Sequence, residues 1–191
     1  QPEDPVLVVS SQGTQSAVVA SMLQARGVGE VYQLLTEPGF QHLAAAADAI
    51  GRMHKFVFVA NDPGSLRAFL DGNGNGSLLN ARIRENESVV AFVGEDSRLA
   101  GKVLVANYRL RYAAYDGLLQ LAPGLGLLRT AIVMPNVYED PDFVENTLAG
   151  VPWSMVEDSL AYGLWIMDSS YVRYEAEGTR RQLQAIGKYP L

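Results

Sequence analysis

The residues most able to do chemistry gather where an apolar run breaks off. Val89 to Val93 is followed by Gly94, Glu95, Asp96, Ser97 and Arg98, so a hydroxyl and two carboxylates stand in one turn. In an open parallel sheet, ligands and reacting groups meet at the carboxyl ends of strands. A serine nucleophile in such a turn needs small residues two before and two after it, because the bend is sharp and strained. With Ser97 as nucleophile those neighbours are Glu95 and Leu99, both large. A hydroxyl also needs a base to take its proton. The only histidines, His42 and His54, lie early in the chain rather than after a late strand, and surface or capping roles suit both.

Metal chemistry finds less support. Asp71 to Gly76 reads DGNGNG, which resembles the opening of a calcium loop, yet the twelfth position, where a bidentate Glu should stand, is Arg82. The same glycines follow a helical pattern rather than a strand, which is the wrong setting for a phosphate cradle. Cysteine is absent, excluding disulfides, thiolate metal sites and thiol nucleophiles. No resident metal or cofactor is implied.

The elements that would position the turn follow from periodicity. Val6 to Val9, Val31 to Leu35, Phe56 to Val59 and Val89 to Val93 read as short strands, the last as the most central. Between them lie helical patterns: one with Val18, Val19, Met22 and Leu23 on its core face and stopped by Gly27 and Gly29, one over Ala44 to Ile50, one carrying Leu66, Phe69 and Leu70, and one over Leu78 to Arg84. Asn61 or Asp62 can cap the third, with Pro63 in its first turn. Asp71 to Ser77 is expected to be a loop. Strand and helix in alternation predict a doubly wound, mostly parallel sheet with flanking helices.

Later come PGLGLL at Pro123 to Leu128, a strand at Ala131 to Met134 and a short helix at Phe143 to Leu148. Leu160 to Met167 and Tyr171 to Glu175, flanking Asp168 to Ser170, predict an antiparallel hairpin at the sheet edge. Tyr108, Tyr112 and Tyr115 are spaced to share a helical face, which suits packing better than base stacking. Trp153, Trp165, Met134, Met155 and Met167 are expected in the core or an interface.

A chain of 191 residues with 48% hydrophobic and 19% charged side chains can bury one core, and a single domain over 1–191 is expected. The net charge of −6 opposes nucleic-acid binding, which needs a cationic footprint. No apolar run approaches the ~20 residues of a membrane span. The first residue, Gln1 rather than Met, fits removal of a leader and leaves exported and cytoplasmic locations equally open.

The order of these segments resembles the cyanophycinase and dipeptidase E family of serine peptidases, whose fold is like that of class I glutamine amidotransferases. FVFVANDPGSLRAFL (Phe56 to Leu70) stands where the family has a strand, a GG, Asp or Asn, Gln segment and a helix. GEDSRL (Gly94 to Leu99) stands at its GTSAGA elbow, APGLGLLRTAIVMPN (Ala122 to Asn136) at its AGLGLL segment, strand and Asp, Gln, His triplet, and SMVEDSLA (Ser154 to Ala161) at its GIDEDTAL segment. The likeness runs over about residues 6 to 178, with PGLGLL and EDS its specific pieces.

Carried over by position, the family serine falls on Asp96, the histidine on Asn136, the aspartate before it on Met134, the two glycines on Ala60 and Asn61, and the glutamine on Pro63. Glu157 alone keeps its type, matching the carboxylate that orients the family's histidine. The resemblance implies a homodimer and activity on aspartyl or β-aspartyl peptides. The substitutions imply that this activity is lost, since removing a nucleophile or base costs on the order of 10⁶ in turnover. What remains is a ligand cleft of Asn61, Asp62, Glu95, Asp96 and Asn136, able to take a small peptide or small molecule, on a degenerate binding or assembly module. The plainer reading has Asp62 and Asp96 each capping the helix that follows it. The alternatives are a hydrolase with a relocated nucleophile at Ser97 and Glu157 or a water in place of the base, and a cation-binding module built on the carboxylates around Asp96.

Overall fold

The computed structural model describes residues 4–37, 39, 42–85, 87–167, 169–177 and 180–187. The architecture is α/β, with mostly parallel sheet flanked by helices and an antiparallel hairpin near the C-terminus. The chain divides into two compact units, Gln1–Asp96 and Ser97–Leu191.

The first unit is built on four parallel strands, β1 (Val6–Ser10), β2 (Val31–Leu35), β3 (Lys55–Phe58) and β4 (Val89–Phe92), in the order β2-β1-β3-β4. β1 is buried along its whole length, whereas Val89 in β4 is 61% exposed and β4 is the last strand of its sheet. The expectation that β4 would be the central strand is therefore corrected: a continuous apolar run measures hydrophobicity, not position. Phe58 and Phe92, partners in register, stack with ring centroids 4.9 Å apart.

The crossover helices are α1 (Gly13–Ala25), α2 (Ala44–Arg52), α3 (Pro63–Asp71) and α4 (Asn75–Arg82). α1 does not bury the valine and methionine face expected of it. Ser16 and Ala20 are its buried residues, and Ser16 Oγ bonds Gln33 Oε1 at 2.7 Å, while Met22 is exposed. Small residues let the helix lie close to the sheet. Its end follows the expected glycine stop: Gly27 at φ +92 closes a Schellman turn, with Val28 N–H donating to Leu23 O and Gly27 N–H to Gln24 O.

α3 starts as expected, with Asp62 as cap and Pro63 in the first turn, and buries Leu66, Phe69 and Leu70. The glycine-rich loop is shorter than expected, because Asn75, Gly76 and Ser77 already belong to α4 and Asn75 is buried, donating through Nδ2 to Leu43 O.

The second unit holds β5 (Gly101–Val105), β6 (Leu121–Pro123), β7 (Leu128–Pro135) and β8 (Tyr162–Ile166) in the order β6-β5-β7-β8, with only the β5–β6 pairing antiparallel. The helix α5 (Val144–Glu157) is longer than the short one expected. Pro152 interrupts its pattern but is exposed, while Thr147, Val151 and Ser154 stay buried, so tertiary packing overrides the local breaker. α5 and these strands enclose Val105, Tyr108, Ile132, Met134, Val137, Val151 and Leu160, with Met155 and Trp165 against them.

The tyrosine-rich stretch is not a helix. Residues 106–117 form successive turns in which Tyr108 is buried and Tyr112, at φ +59, and Tyr115 are exposed. Asn146 holds this stretch from within α5, donating through Nδ2 to Tyr108 O and Leu110 O and accepting from Ala114 N–H.

The hairpin also differs in its partners. β8 runs parallel to β7, and the antiparallel pair is β9 (Ser170–Glu177) with β10 (Arg180–Gly187). β10, largely polar, gives no apolar alternation to find it by. Of the turn expected at Asp168 to Ser170, Asp168 lies outside the described residues.

Candidate functional site

β3 and β4 run parallel and adjacent, so the segments leaving their carboxyl ends lie side by side. After β3 the chain passes through Ala60, Asn61 and Asp62 into α3; after β4 it enters a 3-10 helix, Gly94–Ala100. Asn61 at φ +57 and Gly94 at φ +60 are both left-handed, a conformation that Asn and Gly adopt most readily.

Asp96 is fully buried, and its Oδ2 accepts hydrogen bonds from Ala60 N–H at 2.5 Å and Asn61 N–H at 3.2 Å. A left-handed residue in such a turn lets successive N–H groups converge, a backbone arrangement that holds anions. Here the anion is the chain's own carboxylate. The reading of Asp96 as a cap for the helix after Val93 is corrected: the side chain ties the end of β4 to the segment after β3. Its other oxygen, Oδ1, is buried with no hydrogen-bond partner among the described residues. Burial pushes the Asp96 pKa up to about 6, against the pull of the Asn61, Ala60 and Asp62 N–H groups, and the nearby negative charge of Asp62 adds to the rise.

Asp62 is the helix cap. Its Oδ1 accepts from Ser65 N–H at 3.1 Å and its Oδ2 from Ser65 Oγ at 2.7 Å, and these bonds hold its pKa below the usual value. Glu95 is buried beside Asp96 in sequence. Among the described residues there is no group of three or more His, Asp or Glu side chains arranged to hold a metal ion. In the first unit the structure thus brings together Asn61 and Asp96, with Asp62 close by.

The remaining candidates belong to the second unit. Ser97 lies inside the 3-10 helix, almost fully buried, and is not one of the non-glycine residues with positive φ, so it lacks the left-handed, strained backbone of a nucleophile elbow. Asn136 follows β7 in the left-handed region at φ +56, its N–H donating to Ile166 O at 2.9 Å. Glu157 is the last residue of α5 and is exposed.

Arg98, to which the sequence pattern assigns no role, is buried: its guanidinium sits 4.0 Å from the ring centre of Tyr108, and Nη2 donates to Val105 O. The PGLGLL segment likewise has a structural reason. Leu125 N–H donates to Leu99 O and Gly124 N–H to Lys102 O, and a Cβ on Gly124 would overlap Gly101 O.

The sequence could have pointed to the amide pair through Ala60-Asn61-Asp62-Pro63, in which a residue tolerant of left-handed backbone precedes an Asp-Pro helix start. It carried no sign that the carboxylate filling the pair would come from Asp96, 35 residues beyond Asn61.

No protein-family model matches the sequence, and no curated protein does. Among solved structures, a peptidase from an acI-B1 Actinobacterium superposes with a TM-score of 0.68 at 13% identity, covering 96% of this chain and 74% of that one. A protein of Listeria monocytogenes EGD-e assigned as a Peptidase E superposes with a TM-score of 0.60 at 13% identity, covering 98% of this chain and 89% of the other. At that identity the likeness is one of fold, and the fold of this chain is that of these peptidases.

Proposed function

We propose that this chain is a catalytically degenerate relative of the cyanophycinase and dipeptidase E peptidases that serves as a binding or assembly module rather than a hydrolase. The observation that carries the reading is the engagement of Asp96. Two convergent backbone N–H groups are what a hydrolase sets out to stabilise a developing oxyanion. In this chain the Ala60 and Asn61 N–H groups both point at the Asp96 carboxylate, which stands where the resemblance puts the attacking serine.

A carboxylate there is the wrong nucleophile for peptide hydrolysis, and it occupies the donors a substrate carbonyl would need. The position matching the family's histidine is Asn136, which cannot accept a proton at neutral pH. Glu157, the one residue of matching type, has no histidine to orient. These three features support loss of the peptidase chemistry on a retained peptidase fold.

The test is hydrolysis by the purified full chain. β-Aspartyl-arginine and α-aspartyl dipeptides are expected to remain uncleaved over days at neutral pH. Turnover that disappears in Ser97→Ala or Glu157→Gln would instead establish the relocated-nucleophile hydrolase.

A further inference from the structure

β9 and β10 form a ribbon of two strands, and among the described residues β9 pairs with β10 alone. Their register runs without a shift from the pair Ser170 and Gly187 to the pair Glu177 and Arg180. A lone two-stranded ribbon is marginal in water, and an uncovered strand edge is a template for another chain. Folded proteins guard such edges with Lys, Pro or a bulge, and β9, SYVRYEAE, has none of these. Tyr171, Arg173, Glu175 and Ala176 are exposed, and so are Tyr174 and its cross-strand partner Leu183, at 41% and 40%.

The parity of the hairpin decides what the open edge of β9 offers. Glu177 and Arg180 are the closing pair, with residues 178 and 179 between them, and a closing pair of this kind exchanges backbone hydrogen bonds. Bonded and non-bonded pairs alternate along an antiparallel ladder. Counting back in twos, Glu175 and Arg173 turn their N–H and C=O groups toward β10, and Val172, Tyr174 and Ala176 turn theirs to the open edge. Side chains alternate in the same way, so Arg173 and Glu175 share one face, where they form an ion pair along the strand.

The order of these charges selects the occupant. With β9 antiparallel to a copy of itself about a two-fold axis at Tyr174, Arg173 of each strand stands directly opposite Glu175 of the other, and Val172 stands opposite Ala176. Moving the axis by one residue sets Arg173 or Glu175 against its own copy, and like charges directly opposite are destabilising. The axis that pairs the charges also pairs the three residues whose N–H and C=O groups face outward, so hydrogen bonding and charge agree on one register. The outer edge of β10 has no such match, since an axis at Leu183 sets Arg181 against Ala185.

We propose that β9 docks on β9 of a second copy of this chain, antiparallel about a two-fold axis at Tyr174, to make a four-stranded sheet in the order β10-β9-β9-β10. A two-fold contact is self-complementary, so each Arg173 and Glu175 pairing occurs twice. Addition of one short strand to another is a small interface, which places the dissociation constant in the micromolar range. The proposal goes beyond the loss of hydrolysis and does not depend on it, because self-association and cleavage are separate measurements.

The test is sedimentation velocity of the full chain over a concentration series, where a reversible equilibrium of monomer and dimer is expected. Arg173→Glu and Glu175→Arg, both at exposed positions, should each weaken the dimer by about tenfold, because the two-fold repeats every like-charge contact. An equimolar mixture of these two variants should recover the dimer, since the acid now at position 173 faces the base now at position 175 in both pairs. Tyr174→Pro removes an outward N–H that β10 does not use, a change an edge strand tolerates, and should leave the chain monomeric. The mixture decides the matter even should Tyr174→Pro fail to fold. A chain monomeric at every concentration, a dimer unmoved by either charge reversal, a mixture no stronger than the single variants, or a dimer persisting in folded Tyr174→Pro would each overturn the proposal.

Discussion

Replacing Asp96 by Asn should change how stability depends on pH, in a direction opposite to that of most carboxylates. In the folded chain burial raises the Asp96 pKa to about 6, from 3.8 for the free side chain. The folded protein therefore holds this proton more tightly than the unfolded chain does. Stability from the group is complete below the unfolded pKa and is lost as pH rises through the folded one. The difference of 6 − 3.8 = 2.2 units corresponds to about 3 kcal/mol at about 1.4 kcal/mol per unit.

The amide of the Asp96→Asn variant cannot titrate, and every other carboxylate is common to both proteins, so the difference between them isolates Asp96. Urea denaturation of each at several pH values between 4 and 7 gives that difference. The native protein should gain about 2.4 kcal/mol relative to Asp96→Asn on acidification from pH 7 to pH 4, most of it between pH 6 and pH 4, with the rest of the roughly 3 kcal/mol appearing below the unfolded pKa. A difference independent of pH would mean that the backbone N–H groups fully offset the cost of burial. A difference of opposite sign would mean that the Ala60 and Asn61 N–H groups outweigh burial, and the electrostatic reasoning at this site would fail.

Other consequences can be checked on the same material. Asp62→Ala removes the side-chain cap of α3 and should cost about 1 kcal/mol in urea denaturation. Asn146→Leu leaves the Tyr108 and Leu110 carbonyls and the Ala114 N–H without their bonds, and a loss of about 2–4 kcal/mol is expected, with earlier proteolysis in residues 106–117. Gly124→Ala places a methyl against the Gly101 backbone carbonyl and should cost about 3 kcal/mol or prevent folding, read from soluble yield and thermal melting.

The strands of the first unit were legible because each is a short apolar run closed by a polar turn, and Asp62 with Pro63 marked both the cap and the start of α3. The face of α1 was misread because close packing on the sheet favours Ser16 and Ala20 over the larger Val18 and Met22, which periodicity alone cannot foresee. Pro152 hid most of α5, whose buried residues hold the helix through a residue that would break it in isolation. β10 went unseen because a ribbon exposed on both faces needs no apolar alternation.

At the site, the sequence drew attention to Asp96 through its place after β4, but not to its partners. Those depend on parallel pairing of β3 with β4, which brings residues distant in sequence to one sheet end. PGLGLL stood out for its wording, and the structure gives it a backbone reason, the close approach of Gly124 to the Gly101 carbonyl.

Whether Asp96 truly stands in place of a nucleophile is tested most directly by intact-mass analysis after exposure to a fluorophosphonate. The native chain should keep its mass at probe concentrations that saturate an active serine peptidase. A single adduct mapped to Ser97 and missing from Ser97→Ala would contradict the proposed loss of hydrolase chemistry.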